Sequence, residues 1–500
     1  MTGQLARRSN ASHILAMFSR TSMNRLTATA PTMLLLVACA VGPNYHVPDT
    51  PPAVVHNGAS AAFLPRDPEA SWWQEFDDPE LDGLERRALT ANLDLRMAID
   101  RVRAARAVFV EQKFDYAPHV PMQVGYAKSV EQEPGFGLSR ITAESDNVGF
   151  DATWEIDLFG HVRRSVEAAR ADLGAERASF RDAEVTVAAE VARNYFELRG
   201  AQKRLGVARA NLASERQTLK LTQLRDEAGR GSELDVQRSR ARLEATEATI
   251  PPLETAESQG KYRLAVLLGA RPGILDDELQ PESAAVYAKP LPIGDATELL
   301  RRRPDVRIAE RQLAAATARV GIATADLFPR VNVTGFVGFL SGDLGRLFST
   351  TPPDDARAWS VTPTVTWAAF DLGSIRARLH ASEAQSDAAA ANYEKVVLLA
   401  LEDTENSFLT YSKRQAQLKS LNAQAQASRR AAELADIQYR EGVADFLVLL
   451  DAQRTQLEAE DAVAQAETGV NVAVIAIYKA LGGVAQPTSD LPPPRVAQAR

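Results

Sequence analysis

The 500-residue sequence predicts a mainly α-helical fold with a small membrane-spanning β part, built from two tandem helix-strand-strand-helix-helix units. Three observations predict it: an internal repeat at a spacing of about 211 to 213 residues, two very long helical stretches, and short segments of alternating polarity between them. The chain is longer than one compact core normally accommodates. Its richness in Ala, Leu, Arg, Glu and Gln, with only 6% aromatic residues, is the profile of long packed helices.

The first 38 residues carry Arg7, Arg8, Arg20 and Arg25 and no acidic residue. Their apolar run, Ala28 to Ala38, is too short to span a bilayer and has the layout of a secretory signal, with Met1 or Met23 as the start. The run ends in Leu36-Val37-Ala38-Cys39, which resembles the lipobox of bacterial lipoproteins. That resemblance implies cleavage before Cys39, acylation of its thiol, and, with Ala40 following, delivery to the outer membrane. Acyl chains bury methylenes at about 0.8 kcal/mol each, enough to hold a chain on a membrane when several are attached. Residues 39–70, with prolines at 43, 48, 51, 52, 65 and 68, read as a lipidated extended tether.

The first unit is placed at 71–285 and the second at 286–484, with a tail at 485–500. At an offset of 211, Asp94-Leu95-Arg96-Met97-Ala98 matches Asp305-Val306-Arg307-Ile308-Ala309, and Pro118 matches Pro329. At 213, Trp154 matches Trp367, Gly160 matches Gly373, Gly229 matches Gly442, and Gly269 matches Gly482. Each unit opens with a helix, Leu93 to Ala117 and Asp305 to Phe328, stopped by the prolines that follow. Strands are expected at 120–131 and 147–158, and again at 331–340 and 360–370. In the second of these, Val148, Phe150, Ala152, Trp154, Ile156 and Leu158 alternate with Asp151, Thr153, Glu155 and Asp157. Long helices follow at 161–228 and 374–441, about 100 Å each if continuous at 1.5 Å per residue. Glycine turns at Gly229, Gly231 and Gly442 then reverse the chain into returning helices starting near Ser232 and Asp445. Pro251-Pro252 should kink the first of these. The returning and opening helices of a unit together approach the length of its long helix and are expected to stack end to end beside it.

Strands of this length with one apolar face suit a tilted transmembrane barrel, yet four are too few to close one. A sheet edge is not left in lipid, so several copies must pool their strands, and three give twelve. The expected assembly is a homotrimer whose twelve-stranded barrel continues into a tunnel of helices. A soluble four-stranded sheet with one wet face would show the same alternation, and a helical scaffold would explain the helices but not the strands.

Several chemistries drop out. One cysteine allows no intrachain disulfide, and the six histidines show no ligand spacing, so no metal or cofactor is expected beyond a covalent lipid on Cys39. No nucleophile stands near a base, and no phosphate loop is present, which argues against an enzyme. Loss of the first 38 residues takes the formal charge from −8 down by four to −12, so nucleic acid is not an expected partner.

The repeat, with Arg302-Arg303-Pro304-Asp305-Val306-Arg307, Leu327-Phe328-Pro329 and Gln438-Tyr439-Arg440-Glu441-Gly442, resembles the TolC and OprM outer-membrane efflux family, and in particular its NodT-type lipoproteins. The resemblance implies a channel that performs no chemistry, anchored in outer-membrane lipid. It would dock a periplasmic adaptor and an inner-membrane pump of the RND type, and pass small molecules outward. It also implies a constriction near the last tip turn, with Leu447 and Asp451 at the pore, four apart on one helix face, and Arg454 and Tyr439 holding the closed state. Three Asp451 carboxylates around an axis would repel one another and attract cations. Val448 stands where the TolC pattern has a second aspartate, so a double acidic ring is not expected. Gly229, Gly231 and Gly442 become adaptor contacts, and Asp151, Glu155 and Asp157 line the barrel lumen. A channel for type I protein or peptide secretion has the same architecture. A periplasmic adaptor or scaffold lipoprotein is the reading from another class, and the tandem repeat speaks against it.

Overall fold

The structure, a computed structural model, describes residues 40–48, 56–58, 62–69, 71–132, 140–282, 284–295, 302–342 and 356–483. Cys39, the signal and the tail lie outside them. The elements in chain order are β1 (Phe63–Leu64), α1 (Pro79–Ala91), α2 (Leu93–Phe114), β2 (Met122–Gln132), β3 (Arg140–Ile156), α3 (His161–Glu227), α4 (Glu233–Glu247), α5 (Ile250–Leu267), β4 (Leu291–Pro292), α6 (Pro304–Ala325), β5 (Arg330–Ser341), β6 (Arg357–Thr366), α7 (Leu372–Arg440) and α8 (Phe446–Ala480). Two compact units partition them: residues 1–46, 107–171 and 313–388 form one, and residues 47–106, 172–312 and 389–500 the other.

The first unit holds a four-stranded antiparallel sheet in the order β2-β3-β5-β6. Each repeat supplies one hairpin, and the two hairpins join through β3 and β5, with Trp154 opposite Val333 and Phe150 opposite Val337. β3 begins seven residues before the expected start. From Asn147 onward its outward residues are apolar, whereas further up the same face carries Thr142, Glu144 and Asp146, so the alternation in polarity stops while the backbone pairing continues to Arg140.

The second unit is helical and has the main core. Trp72 stacks on Tyr478 at 5.0 Å, and Phe63, Leu81, Tyr195, Leu264, Phe408 and Val474 pack around them. α1 starts at an Asp78-Pro79 signal: the Asp78 carboxylate accepts from the amides of Glu80 and Leu81, both at 3.1 Å. The first returning helix is broken into α4 and α5 at Ala248–Thr249, just ahead of Pro251-Pro252, because proline lacks the N–H that would continue the ladder. α8 has no such proline and runs unbroken over 35 residues.

Two of the glycine pairs of the repeat, Gly229 with Gly442 and Gly269 with Gly482, end helices in the same way. Gly229 donates to the Asp226 carbonyl while Arg230 donates to that of Arg225, and Gly442 and Val443 repeat the pattern on Tyr439 and Gln438. Gly269 and Gly482 close the returning helices with the same pair of bonds. Each glycine has positive φ, as this left-handed cap requires. Beyond these caps, the returning helices abut the opening helices of their own repeats. The Asn92 amide donates to the Leu267 carbonyl at 2.8 Å, and the Arg303 guanidinium to the Ala480 carbonyl at 2.7 Å.

Candidate channel wall and gate

The sheet of the first unit has one face that is apolar and exposed. Met122, Val124 and Tyr126 of β2, Phe150 and Trp154 of β3, Val337 of β5, and Trp359, Val361 and Val365 of β6 all lie on it. Soluble sheets do not leave such a face uncovered, whereas a lipid-facing barrel wall must. The opposite face carries Asn147, Asp151, Thr153, Glu155, Asn332, Thr334, Ser360, Thr362 and Thr364. β2 and β6 are the sheet's edges, each paired on one side only among the described residues.

At the helical end of the strands the two repeats fasten their tryptophans alike. Trp154 donates from its indole nitrogen to the Tyr116 carbonyl, and Trp367 to that of Leu327, both at 3.1 Å. With exposed Phe114, Tyr116 and Phe370 they form an aromatic group of the kind that marks a membrane boundary.

Of the three residues expected to line the lumen, two lie on the polar face of the sheet. Asp151 and Glu155 sit on the polar face of β3, where Glu155 lies 3.5 Å from His161 Nδ1 and 4.0 Å from the Arg330 guanidinium. Asp157 does not belong with them. β3 ends at Ile156, and the Asp157 carboxylate turns to the start of α3, accepting from the Arg163 backbone at 2.9 Å and its guanidinium at 3.2 Å. Near the N-terminus of a helix a carboxylate meets unsatisfied amides and the positive end of the dipole, which outweighs a place on a strand that has finished.

The tip turns are in the second unit. Gly231 is held by space rather than φ: a side chain there would strike the Asp226 amide nitrogen at 2.9 Å. Leu447, Val448 and Asp451 are exposed on one face of α8 and share an open depression with Leu434 and Gln438 of α7. Asp451 pairs with Arg454 one turn on at 2.8 Å, and both remain more than half exposed. Within the chain, the Arg454 ion pair runs along its own helix. Tyr439, expected beside it, is only 5% exposed. Its ring packs on Phe446 at 5.7 Å, in a small core with Ala435 and Leu449. The Arg225 guanidinium lies over that ring, 4.5 Å from its centre, and donates to the Tyr439 carbonyl. Arg225 was not read from the sequence; its place four residues before Gly229, in the last turn of a helix, was the available signal.

The family model for outer membrane efflux proteins matches residues 84–270 and, a second time, 296–483. The chain belongs to this family. The outer membrane protein OprJ of Pseudomonas aeruginosa is 31% identical over 453 residues, covering 90% of this chain and 94% of OprJ. Nodulation protein T of Rhizobium leguminosarum bv. trifolii is 28% identical over 436 residues, covering 87% of this chain and 92% of that protein. The structure of the outer-membrane channel OprN superposes with a TM-score of 0.86 at 48% identity, over 89% of this chain and 99% of that one. An outer-membrane efflux protein needs a wall that meets lipid, and the exposed apolar face of the four-stranded sheet is that wall. Among the described residues no helix is long and apolar enough to cross a membrane.

Proposed function

We propose that three copies of this chain close a twelve-stranded barrel in the outer membrane and continue it as a helical tunnel, through which small molecules leave the cell. The observation that carries the reading is the pair of open edges, β2 and β6, on a sheet whose outward face is apolar. Unpaired backbone groups cannot face lipid, so β2 of one copy pairs with β6 of the next until the ring closes. Acylation of Cys39 holds the chain to the outer membrane. The turns at Gly229, Gly231 and Gly442 are the ends offered to a periplasmic adaptor, which hands on cargo from an inner-membrane pump of the RND type. Asp151 and Glu155 face the lumen, and Leu447 and Asp451 line a constriction that Arg454 tempers by pairing with the carboxylate. Small-molecule cargo is favoured over secreted protein by the similarity to the antibiotic efflux pump outer membrane protein ArpC of Pseudomonas putida, 31% identical over 470 residues.

The test is disulfide cross-linking between cysteines placed in β2 and β6, combined with single-channel recording in planar bilayers. Covalent trimers with small gated conductances are expected. Monomers that conduct nothing would overturn the reading.

A further inference from the structure

Residues just after Cys39 contain prolines at 43 and 48 and no regular structure, the composition of a free tether. In the structure they are fastened. Arg164, in the first turn of α3, is 3% exposed, and its guanidinium is spent on this segment. Nε donates to the Val41 carbonyl at 3.2 Å, and one terminal nitrogen to the Gly42 carbonyl at 3.3 Å and the Asn44 side-chain oxygen at 2.8 Å. The other terminal nitrogen pairs with Glu167 at 2.8 Å. The Val41 amide donates to the Phe159 carbonyl at 3.1 Å, and Tyr45 packs against Ala171, Ala314 and Ala315.

Three glycines make the seat. A side chain on Gly42 would come within 2.6 Å of Gly321 Cα, one on Gly321 within 2.8 Å of the Arg164 side chain, and one on Gly160 within 2.8 Å of Ala40. The segment therefore lies as a strut across α3 of the first repeat and α6 of the second. Phe159, which receives it, stacks on Phe328 at 4.8 Å and follows Trp154 by five residues, so the strut begins at the aromatic boundary of the sheet.

We infer that Ala40–Tyr45 is a docked strut clamped by Arg164. It fixes where the modified terminus leaves the protein, so that the acyl chains of Cys39 enter the bilayer beside the sheet at the level of Trp154. This rests on the lipid reading of Cys39. A buried guanidinium with three directed donations to one short segment, and a fourth to Glu167, is a costly feature for a tether, because each partner lost leaves a polar group unsatisfied. A strut one residue long between clamp and lipid converts a loose attachment into a positional one.

The full-length protein, purified in its acylated form and returned to lipid vesicles, carries a nitroxide on His46→Cys, the only free thiol once Cys39 is acylated. Its mass shows the acyl chains, and its spectrum shows the mobility of the segment. A strongly immobilised spectrum is expected in the parent, and a predominantly mobile one in Arg164→Gln. Gly42→Val, which alters the strut and leaves both helices intact, should release it as well. An acylated parent that is already mobile, or variants that stay immobilised, would overturn the clamp. An immobilised label on a chain without acyl groups would instead overturn the lipid reading and leave the clamp standing.

Discussion

Asn92 and Arg303 occupy the same position in the two repeats, and each ties the last carbonyl of a returning helix to the first turn of the opening helix beside it. Asn92 does this with a neutral amide to Leu267 while its oxygen caps Asp94 and Leu95. Arg303 does it with a buried charge that also reaches Ala400 and the carboxylates of Asp305 and Asp403. A cation at a helix C-terminus is favoured by the dipole, and a buried cation left without its partners is not. Arg303→Ala therefore removes both the splice and the counterion of two carboxylates, with an expected loss of about 3 kcal/mol. Arg303→Asn restores the arrangement of the first repeat and should cost roughly half as much. Chemical denaturation of the two variants beside the parent, read by loss of helical signal, checks the order.

Glu85 of α1 has no exposed surface. Burial pushes its carboxyl well above the usual carboxylate range, the Asp82 charge adds to this, and the Ala192 backbone nearby opposes it. The folded state therefore holds a proton that the unfolded chain releases. Stability linked to this group is whole below the unfolded pKa and falls as pH rises through that value toward the folded one, by about 1.4 kcal/mol per pH unit while the difference lasts. Glu85→Gln removes the dependence. The variant should match the parent near pH 4 and exceed it increasingly from pH 5 upward, which denaturation series at several pH values will show.

Much of this was legible in the sequence, for reasons that can be named. Gly229, Gly269, Gly442 and Gly482 were visible as repeat partners, and each proves to be the left-handed cap of a helix, a local requirement that one residue type meets. The apolar half of β3 was visible because lipid imposes alternation. Its upper part was not, since above the lipid boundary a strand has no reason to alternate. Asp157 was misplaced, and the partner of Tyr439 was not foreseen, for a common cause. Spacing puts a residue on a face, but an amide row at a helix start and an arginine arriving from a distant turn decide what its side chain does. The fastening of residues 40–45 was hidden for a related one: proline content reports a lack of regular structure and says nothing of contacts made by Arg164, some 120 positions away.

Arg225 and Tyr439 join the end of α3 to the end of α7, directly ahead of the helix that carries Leu447 and Asp451. The join combines one hydrogen bond to a carbonyl and a cation over a ring with the packing of Leu221 against the same small core. Arg225→Ala should free the tip turn by about 1.4 kcal/mol, a tenfold change in the balance between held and released forms. In bilayer recordings this appears as openings about ten times more frequent, with the conductance of a fully open channel unchanged.

Asp451 and Arg454 form an exposed pair on α8, so in the proposed trimer the charge that three Asp451 side chains would present to passing ions would be partly cancelled by three arginines one turn away. Exposed pairs hold weakly and are screened by salt, so the cancellation is incomplete and depends on ionic strength. Three variants separate the contributions. Arg454→Gln unmasks the carboxylates and should raise the preference for cations over anions. Asp451→Asn should lower it or reverse it, because the arginines then stand alone. The double variant should fall between the two, near no preference. Reversal potentials under a salt gradient give all three values, and the differences should shrink as the salt concentration rises toward 1 M, where charges more than about 3 Å apart are screened. If Arg454→Gln leaves the reversal potential unmoved, α8 does not present this face to the conduction path.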